Sequence, residues 1–425
     1  MADLLFEKAA SLDRTDPLAR FRAEFHSKPG EIYLDGNSLG LLSRRAEATV
    51  QHLLTEWRAL GINGWTDGQP PWIGLADEIA QVLGPLIGAQ ADQICVTGST
   101  TANLHQLLAT LFDPTDKRRI ILGDALNFSS DAHAITSHLR LRGLDPDTHY
   151  REVKSRDGRT LNDDDIIAAM TPDVQLAVLP AVLFTSGQLL EIGRLTREAH
   201  ARGVLIGWDC SHSIGAVPHA LEAAGADFAF WCSYKYLNAG PGAVGGLFLH
   251  RRHHSRGPGM AGWWGVKPER RFSMSHQHEP ANGAAALQIG TPHLLSLAPL
   301  RGSLEIITEA GGIAPLRTKS LALTSFLMEA IDELLPNQGF TIVTPREEVR
   351  RGGHVALAHP GAWQICQALK SVRVIPDFRP PDVIRLAPAP LYNTFTDCIE
   401  AVRRLRKLVD TDAHRAFPPG REIVT

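Results

Sequence analysis

The sequence has few cysteines, no long apolar run and no excess of charge of one sign. Its five cysteines, Cys95, Cys210, Cys232, Cys366 and Cys398, are odd in number and never form a CxxC pair. Their spacing therefore predicts neither a disulfide framework nor a zinc site. We expect reduced thiols that pack as small apolar side chains.

The balanced charge and the lack of a long apolar run exclude several classes of protein. Lys and Arg number 43 and Asp and Glu 46, whereas nucleic-acid and membrane-surface binders carry a basic excess. The longest apolar runs, such as Gln175–Phe184, are much shorter than the ~20 residues of a membrane helix. The acidic start, Met1–Glu7, lacks the basic segment of a secretory signal. We therefore expect a cytoplasmic protein that binds neither nucleic acid nor membranes.

Apolar runs alternate with helical patterns through the middle of the chain. Leu104, Leu107, Leu108 and Leu111, for example, repeat at helical spacing. Continuous apolar strands between such helices indicate an α/β fold with a mostly parallel sheet, covered on both faces, whose ligands bind at the carboxyl ends of the strands. A further short run, 246–249, is typical of an edge strand. The main predicted strands are 93–97, 119–122, 174–182, 204–208 and 227–232.

The C-terminal third has shorter elements of mixed type. Its length and pattern indicate a smaller α+β unit beside the large sheet. We predict a large cofactor-binding domain over residues 45–299, and a small domain made of residues 1–44 and 300–425.

Two charged residues follow neighbouring predicted strands. Asp209 directly follows Trp208, and Lys235 lies three residues beyond Cys232. Alone, the first would be a turn or helix cap and the second an exposed lysine. Together they suit pyridoxal 5′-phosphate (PLP), because a lysine amine attaches this cofactor and a carboxylate pairs with its protonated ring nitrogen. His212, on the same loop as Asp209, could orient the cofactor or that carboxylate.

Small hydroxyl residues lie where the cofactor phosphate needs donors. Gly98–Asn103 connects a predicted strand to a helix and contains Thr100 and Thr101, although Ser and Thr are also ordinary helix caps. After the next strand, Phe128 could stack on a planar ring or fill the core. Asp131 could contact the cofactor or cap its own helix.

One arginine stands inside an apolar strand. Arg385 lies within Val383–Leu386, where an unpaired charge would be costly, and its planar guanidinium suits a substrate carboxylate. Asp382 is an odd number of residues away, so it points to the other face of the strand. The pattern favours a ligand partner for Arg385, with a distant protein carboxylate as the alternative.

Five segments together resemble the kynureninase family. The most specific is the lysine segment, Ser233–Gly242, with Asp209 and His212 upstream. The matches are spread over residues 33–393, nearly the whole chain. The other four segments are Tyr33–Gly40, Asn103–His105, Gly262–Gly265 and Ile384–Asn393.

This resemblance implies a homodimeric PLP enzyme of fold type I, the aspartate-aminotransferase-like fold. Its reaction would be hydrolysis of L-kynurenine, or of 3-hydroxy-L-kynurenine, to anthranilate or 3-hydroxyanthranilate and L-alanine in tryptophan degradation. Lys235 would hold the cofactor, Asp209 would pair with its ring nitrogen, Tyr234 would transfer protons and Arg385 would bind the substrate carboxylate. The further cofactor contacts would be Thr100, Thr101, Phe128, Ser129, Ser130, Asp131, His212, Trp263 and Thr291, some of them from a second subunit.

Three departures from the family pattern bear on the substrate. Ser129 stands where the family often has Pro, Val266 where animal members have His, and Gly290–Thr291 where they have Ser-Asn. Thr291 can still hydrogen-bond a phosphate. The absent His and Asn would contact the substrate ring, so the preference between kynurenine and its 3-hydroxy form stays open.

Two alternatives to this function remain. One is a related PLP enzyme, such as an aminotransferase or a desulfurase, which would need a nucleophilic cysteine on a mobile loop. Cys366 and Cys398 both fall in predicted helices and fit that role poorly. The other is a binding module without activity, which the presence of both Lys235 and Asp209 opposes.

Overall fold

This computed structural model describes residues 2–419 of the chain. These residues form three β-sheets and the helices that cover them. The strands are β1 (Ile32–Tyr33), β2 (Ile94–Cys95), β3 (Ile120–Asp124), β4 (Tyr150–Val153), β5 (Val174–Pro180), β6 (Leu205–Asp209), β7 (Phe228–Trp231), β8 (Gly246–Leu249), β9 (Thr341–Ile342), β10 (Val355–Ala358), β11 (Val374–Ile375), β12 (Asp377–Arg379) and β13 (Val383–Leu386). The α-helices are α1 (Ala2–Arg14), α2 (Arg44–Leu60), α3 (Gly64–Asp67), α4 (Leu75–Ile87), α5 (Thr100–Leu111), α6 (Ser129–Leu141), α7 (Pro146–His149), α8 (Asp163–Ala169), α9 (Ile192–Ala201), α10 (Leu221–Ala224), α11 (Pro268–Arg271), α12 (Leu294–Glu309), α13 (Ile313–Leu334), α14 (Ala362–Ser371) and α15 (Phe395–Asp410).

The largest sheet has seven strands in the order β2-β8-β7-β6-β5-β3-β4. The five strands from β7 to β4 are parallel to one another, which confirms the predicted α/β class and the mostly parallel sheet. Strand β8 pairs antiparallel with both β7 and β2, so the prediction that residues 246–249 form an edge strand is wrong. The edge opposite β2 is instead β4, which the sequence pattern did not indicate.

Strand β5 shows why the central runs are continuously apolar. Leu176 and Val178 pack on one face of the sheet, in a cluster with the leucines of α5. Ala177 and Leu179, which alternate with them, pack on the other face, in the cluster that also contains apolar side chains of α4 and α9. Because helices cover both faces, every position of the strand is buried or nearly so, and the two-residue alternation of a half-exposed strand disappears.

The strand directions bring the polar loops to one edge of the sheet. Strands β3, β5, β6 and β7 all end at this edge because they are parallel. Strand β8 is antiparallel to both of its neighbours, so β2 runs in the same direction as β7 and ends there too. The segments after Cys95, Asp124, Asp209 and Trp231 therefore lie near one another.

A four-stranded antiparallel sheet, ordered β12-β13-β10-β9, lies in the C-terminal third. The N-terminal segment joins this part of the chain, since β1 pairs in parallel with β11 and Leu5, Ala9 and Leu34 pack in one cluster with α13 and α15. Helix α12 runs continuously across the predicted boundary at residue 300. The domain division at residues 45 and 300 remains a proposal, and the last residues of the predicted small domain, 420–425, lie outside the described residues.

A buried ion pair links the N-terminal segment to α13. Nζ of Lys319 lies 2.7 Å from a carboxylate oxygen of Asp16, and their side chains are only 7% and 3% exposed. The same ammonium donates to the carbonyl of Pro390 at 2.6 Å. Removing the lysine charge would leave a buried carboxylate without its cation, which is costly.

We predict that Lys319→Met lowers the free energy of unfolding by about 3–5 kcal/mol, measured by urea denaturation. The double variant Lys319→Met/Asp16→Leu should regain most of this loss, because neither charge is then buried alone. Lys8→Met is the control, since the Lys8–Glu329 pair is exposed and should contribute at most about 1 kcal/mol. An equal effect of Lys319→Met and Lys8→Met would contradict this account.

Candidate active site

A cavity of about 330 Å³ opens at the edge where the parallel strands end. Its walls come from the ends of β6 and β7, the first turns of α5 and α6, the segment before α2, and β12. The structure brings most of the sequence-predicted site residues into this one wall. They are Thr100, Thr101, Phe128, Ser130, Asp131, Asp209, His212, Tyr234 and Lys235.

The amine of Lys235 is held by His212. Nζ of Lys235 lies 2.8 Å from Nε2 of His212, so the loop after β7 contacts the loop after β6. Burial lowers the pKa of His212 well below its usual value, and the positive charge of Lys235 lowers it further. The imidazole is therefore neutral and hydrogen-bonds the amine without adding a second positive charge.

Two buried carboxyl groups, Asp131 and Asp209, line the cavity, and a third, Asp124, lies close enough to feel the charge of Asp209. Burial raises the pKa of Asp209, and the nearby Lys235 charge opposes that rise. Burial also raises the pKa of Asp124 to about 7 and that of Asp131 well above its usual value, and the negative charge of Asp209 adds to both. A cationic group placed among these acids would lower their pKa values and would be stabilised by the carboxylates that form.

Two helix N-termini meet in the cavity wall. Ser99 caps α5, and Thr100 and Thr101 form its first turn. The hydroxyl of Thr101 lies 2.5 Å from that of Ser130, in the first turn of α6. Backbone N–H groups and hydroxyl groups thus converge where the positive ends of two helix dipoles meet, a favourable arrangement for a phosphate.

Unpartnered polar atoms in the cavity wall show that these residues fit PLP. Within residues 2–419, Oδ2 of Asp131, Oγ of Ser211 and Nδ1 of His212 are buried without a hydrogen-bond partner. A planar ligand with a phosphate at one end and a protonated ring nitrogen at the other would match the helix N-termini and the acids. Phe128 is half exposed and its ring contacts Phe184 edge to face at 5.4 Å, so one face remains available for stacking.

The segment Tyr33–Gly40 supports the lysine loop from behind. The N–H of Gly40 donates to the carbonyl of Tyr234 at 2.8 Å. A Cβ atom on Gly40 would lie 2.5 Å from the carbonyl oxygen of Lys235 and 2.2 Å from the side-chain oxygen of Asn238. Only glycine fits this close approach, so backbone packing explains why residue 40 is a glycine.

Arg385 has a protein partner that its own strand does not reveal. Its guanidinium is fully buried and pairs with Asp377, the distant protein carboxylate that the sequence left as the alternative, and its assignment to the substrate carboxylate stays a prediction. It also donates to the carbonyl of Phe184 at 2.7 Å and to Oγ of Ser38 at 3.0 Å. Asp382 does point elsewhere, toward Arg159, but β12 pairs antiparallel with β13 and places Asp377 directly opposite Arg385.

Three other predicted residues lie outside the cavity wall. Ser129 is the exposed first residue of α6. Trp263 is 45% exposed and contacts Phe272, and Thr291 is half-buried in the segment before α12. Within the described part of this one chain, these residues do not join the other cofactor contacts.

Several wall residues were not predicted. Asn37 and Ser38 belong to a segment that carried the family resemblance, but nothing local placed them near Lys235. Ser211 lies between Asp209 and His212 in the sequence, and this position was the feature that could have identified it as a wall residue. Phe184 follows β5, where ligands are expected, whereas Arg379 in β12 offered no signal beyond its charge.

We predict a pH-dependent stability difference between the cofactor-free wild type and Asp124→Asn. The native Asp124 carboxyl holds a proton that the unfolded chain releases near pH 4, so wild-type stability falls as the pH rises toward about 7. Asn cannot titrate and keeps the oxygen that accepts from the N–H of Leu126. Between about pH 4 and pH 8 the variant should gain roughly 2–4 kcal/mol relative to wild type in urea unfolding. Parallel stability curves would contradict the raised pKa.

Comparisons with known proteins assign the family. Residues 316–405 match the model of the kynureninase C-terminal domain. The kynureninase of Geobacillus thermodenitrificans strain NG80-2 is 53% identical over 98% of this chain and 97% of its own length. The kynureninase of Bacillus anthracis is 51% identical over 99% of this chain and 98% of its own length.

Solved structures confirm the fold. A C-DES variant with glycine covalently linked to the PLP cofactor has a TM-score of 0.79 at 18% identity, covering 91% of this chain and 98% of its own. The apo cysteine desulfurase of Thermococcus onnurineus NA1 has a TM-score of 0.78 at 17% identity, covering 92% and 98%. The predicted fold type I is therefore confirmed. Full-length identity at the level of the two kynureninases settles the family, and the chain belongs to the kynureninases.

Proposed function

We propose that this protein hydrolyses L-kynurenine to anthranilate and L-alanine, with PLP held in the cavity around Lys235. The observation that carries the proposal is one arrangement: the amine of Lys235 contacts the neutral His212 in the same cavity as Asp209 and the paired helix N-termini. Kynureninases about half identical to this chain over nearly its full length support the substrate.

The side chains of the cavity have separable tasks. Lys235 would hold the cofactor aldehyde, and its free amine would move a proton to or from the substrate α carbon. Asp209 would supply a negative charge for the ring nitrogen, and the N-termini of α5 and α6 would hold the phosphate. When bound, PLP supplies a ring that accepts electrons from the substrate α carbon and so weakens the bond to the γ carbonyl carbon.

Tyr234 lies next to the attachment lysine and lines the cavity. Burial raises the pKa of its phenol, so the group stays protonated at neutral pH. A protonated phenol donates a hydrogen bond to oxygen or carbon that gains negative charge during the reaction. We assign it the transfer of a proton to the alanine fragment when the carbon–carbon bond breaks.

Arg385 serves the substrate carboxylate from behind the wall. It orients Ser38, whose hydroxyl lines the cavity, and fixes Asp377 at the base of β12. Its guanidinium donates to Ser38 and therefore lies directly behind the cavity wall. We assign Arg385 to the substrate carboxylate.

A homodimer would complete the site. Trp263 and its neighbours Phe272 and Met274 are exposed large apolar side chains, as are Trp57 and Leu295 beside an apolar pocket. Such an exposed apolar surface marks a protein contact. A second copy seated there would carry Trp263 and Thr291 toward the neighbouring cavity. We propose a cytoplasmic homodimer; within residues 2–419, no helix is both long enough and apolar enough to cross a membrane.

The desulfurase alternative is not favoured. All five cysteines are buried, and Cys366 and Cys398 lie within α14 and α15. A desulfurase needs a thiol that moves to its substrate. The likeness to desulfurases is therefore one of fold.

We predict that the holoenzyme releases anthranilate and L-alanine in equal amounts from L-kynurenine, followed by anthranilate fluorescence and alanine quantification. A parallel assay with 3-hydroxy-L-kynurenine measures the preference that the sequence left open. If the holoenzyme turned over neither substrate, the proposal would be wrong and another PLP reaction would have to replace it.

We further predict that Asp209→Asn lowers kcat by on the order of 10²-fold or more, because the amide keeps the shape of the side chain and removes its charge. Asp116→Asn is the control, since Asp116 is fully exposed and pairs only with Arg119 among the described ion pairs. Near-normal turnover and cofactor affinity in Asp209→Asn would show that the charge is not needed.

A further inference from the structure

A second imidazole lies behind the one that holds Lys235. His354 directly precedes β10, and its side chain is fully buried. Its ring contacts the ring of His212 with 6.2 Å between the centroids and 63° between the two planes. Aromatic rings prefer such steeply inclined arrangements at this distance. A residue of the C-terminal third thus contacts the ring that hydrogen-bonds the reactive amine.

Two rings together restrict the orientation of His212. Phe184 also packs on the imidazole, with 6.3 Å between the centroids and 40° between the planes. The Nε2 atom of His212 is the one that faces Nζ of Lys235, at 2.8 Å. A rotation of the imidazole would break this contact, so the groups that pack against the ring determine where the amine is held.

His354 is itself held by the turn that follows β5. A Cβ atom on Gly187 would lie 3.2 Å from Nε2 of His354 and 3.0 Å from its carbonyl oxygen, so this glycine packs closely on the residue. The N–H of Gly352 donates to the carbonyl of Gly187 at 2.7 Å. Gln188 and Arg351 form a β-bridge beside this hydrogen bond. The turn and the segment before β10 therefore form one packed unit that fixes the position of His354.

The imidazole of His354 is neutral. Burial lowers its pKa to about 3, with a further contribution from the positive charge of Arg385. The charges of Arg379 and Lys235 act in the same direction, and the backbone of Thr185 opposes them. Because the His212 ring is neutral as well, the two imidazoles pack without repulsion between charges.

We propose that His354 is a positioning residue for the reaction. Its ring keeps the imidazole of His212 in the orientation that contacts Lys235, although His354 does not belong to the described cavity wall. The C-terminal third of the chain thereby determines where the reactive amine lies. The inference rests on the proposed function only in taking Lys235 as the residue that attaches PLP.

The test follows the attachment of PLP to the cofactor-free protein. The rate at which the absorbance of lysine-bound cofactor appears after mixing depends on the orientation of the Lys235 amine, and it requires no turnover. In His354→Ala we expect this rate to fall about 3- to 30-fold, the range of coupling between residues in contact. His212→Ala should lower the rate at least as much, because it removes the contact itself.

A double variant tests whether His354 acts through His212. In the His212→Ala background, the additional change His354→Ala should alter the attachment rate less than about 2-fold, because the ring that His354 holds is already absent. Two independent roles would instead multiply the two single effects.

His138→Ala is the matched control. His138 is also a buried imidazole, its ring contacts Phe112 steeply inclined at 5.9 Å, and burial lowers its pKa to about 4. It lies in the last turn of α6, outside the described cavity wall. His138→Ala should lower the free energy of unfolding in urea, as His354→Ala does, and leave the attachment rate within about 2-fold of wild type.

A second variant separates loss of the ring from loss of volume. His354→Gln keeps a polar side chain of similar size and removes the ring, so we expect the attachment rate to fall about 2- to 10-fold. If His354→Ala does not fold, His354→Gln carries the same comparison, alone and with His212→Ala.

Two outcomes would overturn the inference. Wild-type attachment rates in the folded His354 variants would show that His212 keeps its orientation without this ring. Multiplied effects in the double variant would show that His354 acts through another group. The failure of the proposed function is a different result, the absence of anthranilate release from kynurenine, and the attachment rates do not depend on it.

Discussion

The contact between Lys235 and His212 is the interaction on which the rest of the site depends. It joins the loops that follow β6 and β7 and places the reactive amine over the end of the sheet. It needs parallel neighbouring strands, since only then do both loops leave the sheet at the same edge. It also needs a neutral imidazole, and burial in the cavity wall provides one.

Around this contact, burial sets the charge of each group. The buried acids of the cavity lose solvation, which raises their pKa values, and a ligand that brings a positive charge to them would stabilise their ionised forms. At the β12 end the opposite problem arises, because two arginines lie close together, and Asp377 pairs with both. The cavity therefore separates an acidic region for the ring nitrogen from a basic region for a carboxylate.

The strands and site residues that could be predicted from the sequence are those that depend on a local apolar pattern or on a position at the end of a strand. Buried strands such as β5 and β6 are recognisable by their apolar runs. Asp209 and Lys235 could be predicted because they lie at or just beyond the ends of predicted strands. Strand β4 was missed because Tyr150–Val153 is half-exposed and carries Arg and Glu. The partner of Arg385 was missed because pairing across β12 and β13 depends on a register that no single strand reveals. Asn37 was missed since its position depends on close packing of Gly40 against a loop about 200 residues away.

The central claim is that Lys235 is the residue that carries the cofactor. Reduction of the holoenzyme with borohydride, followed by peptide mapping, tests it most directly, because the reduced cofactor stays on the lysine that held it. The account predicts a single label on Lys235, and none in Lys235→Ala, whose folding is checked by circular dichroism. A label on another lysine, such as Lys267 or Lys370, or a fully labelled Lys235→Ala variant, would contradict it.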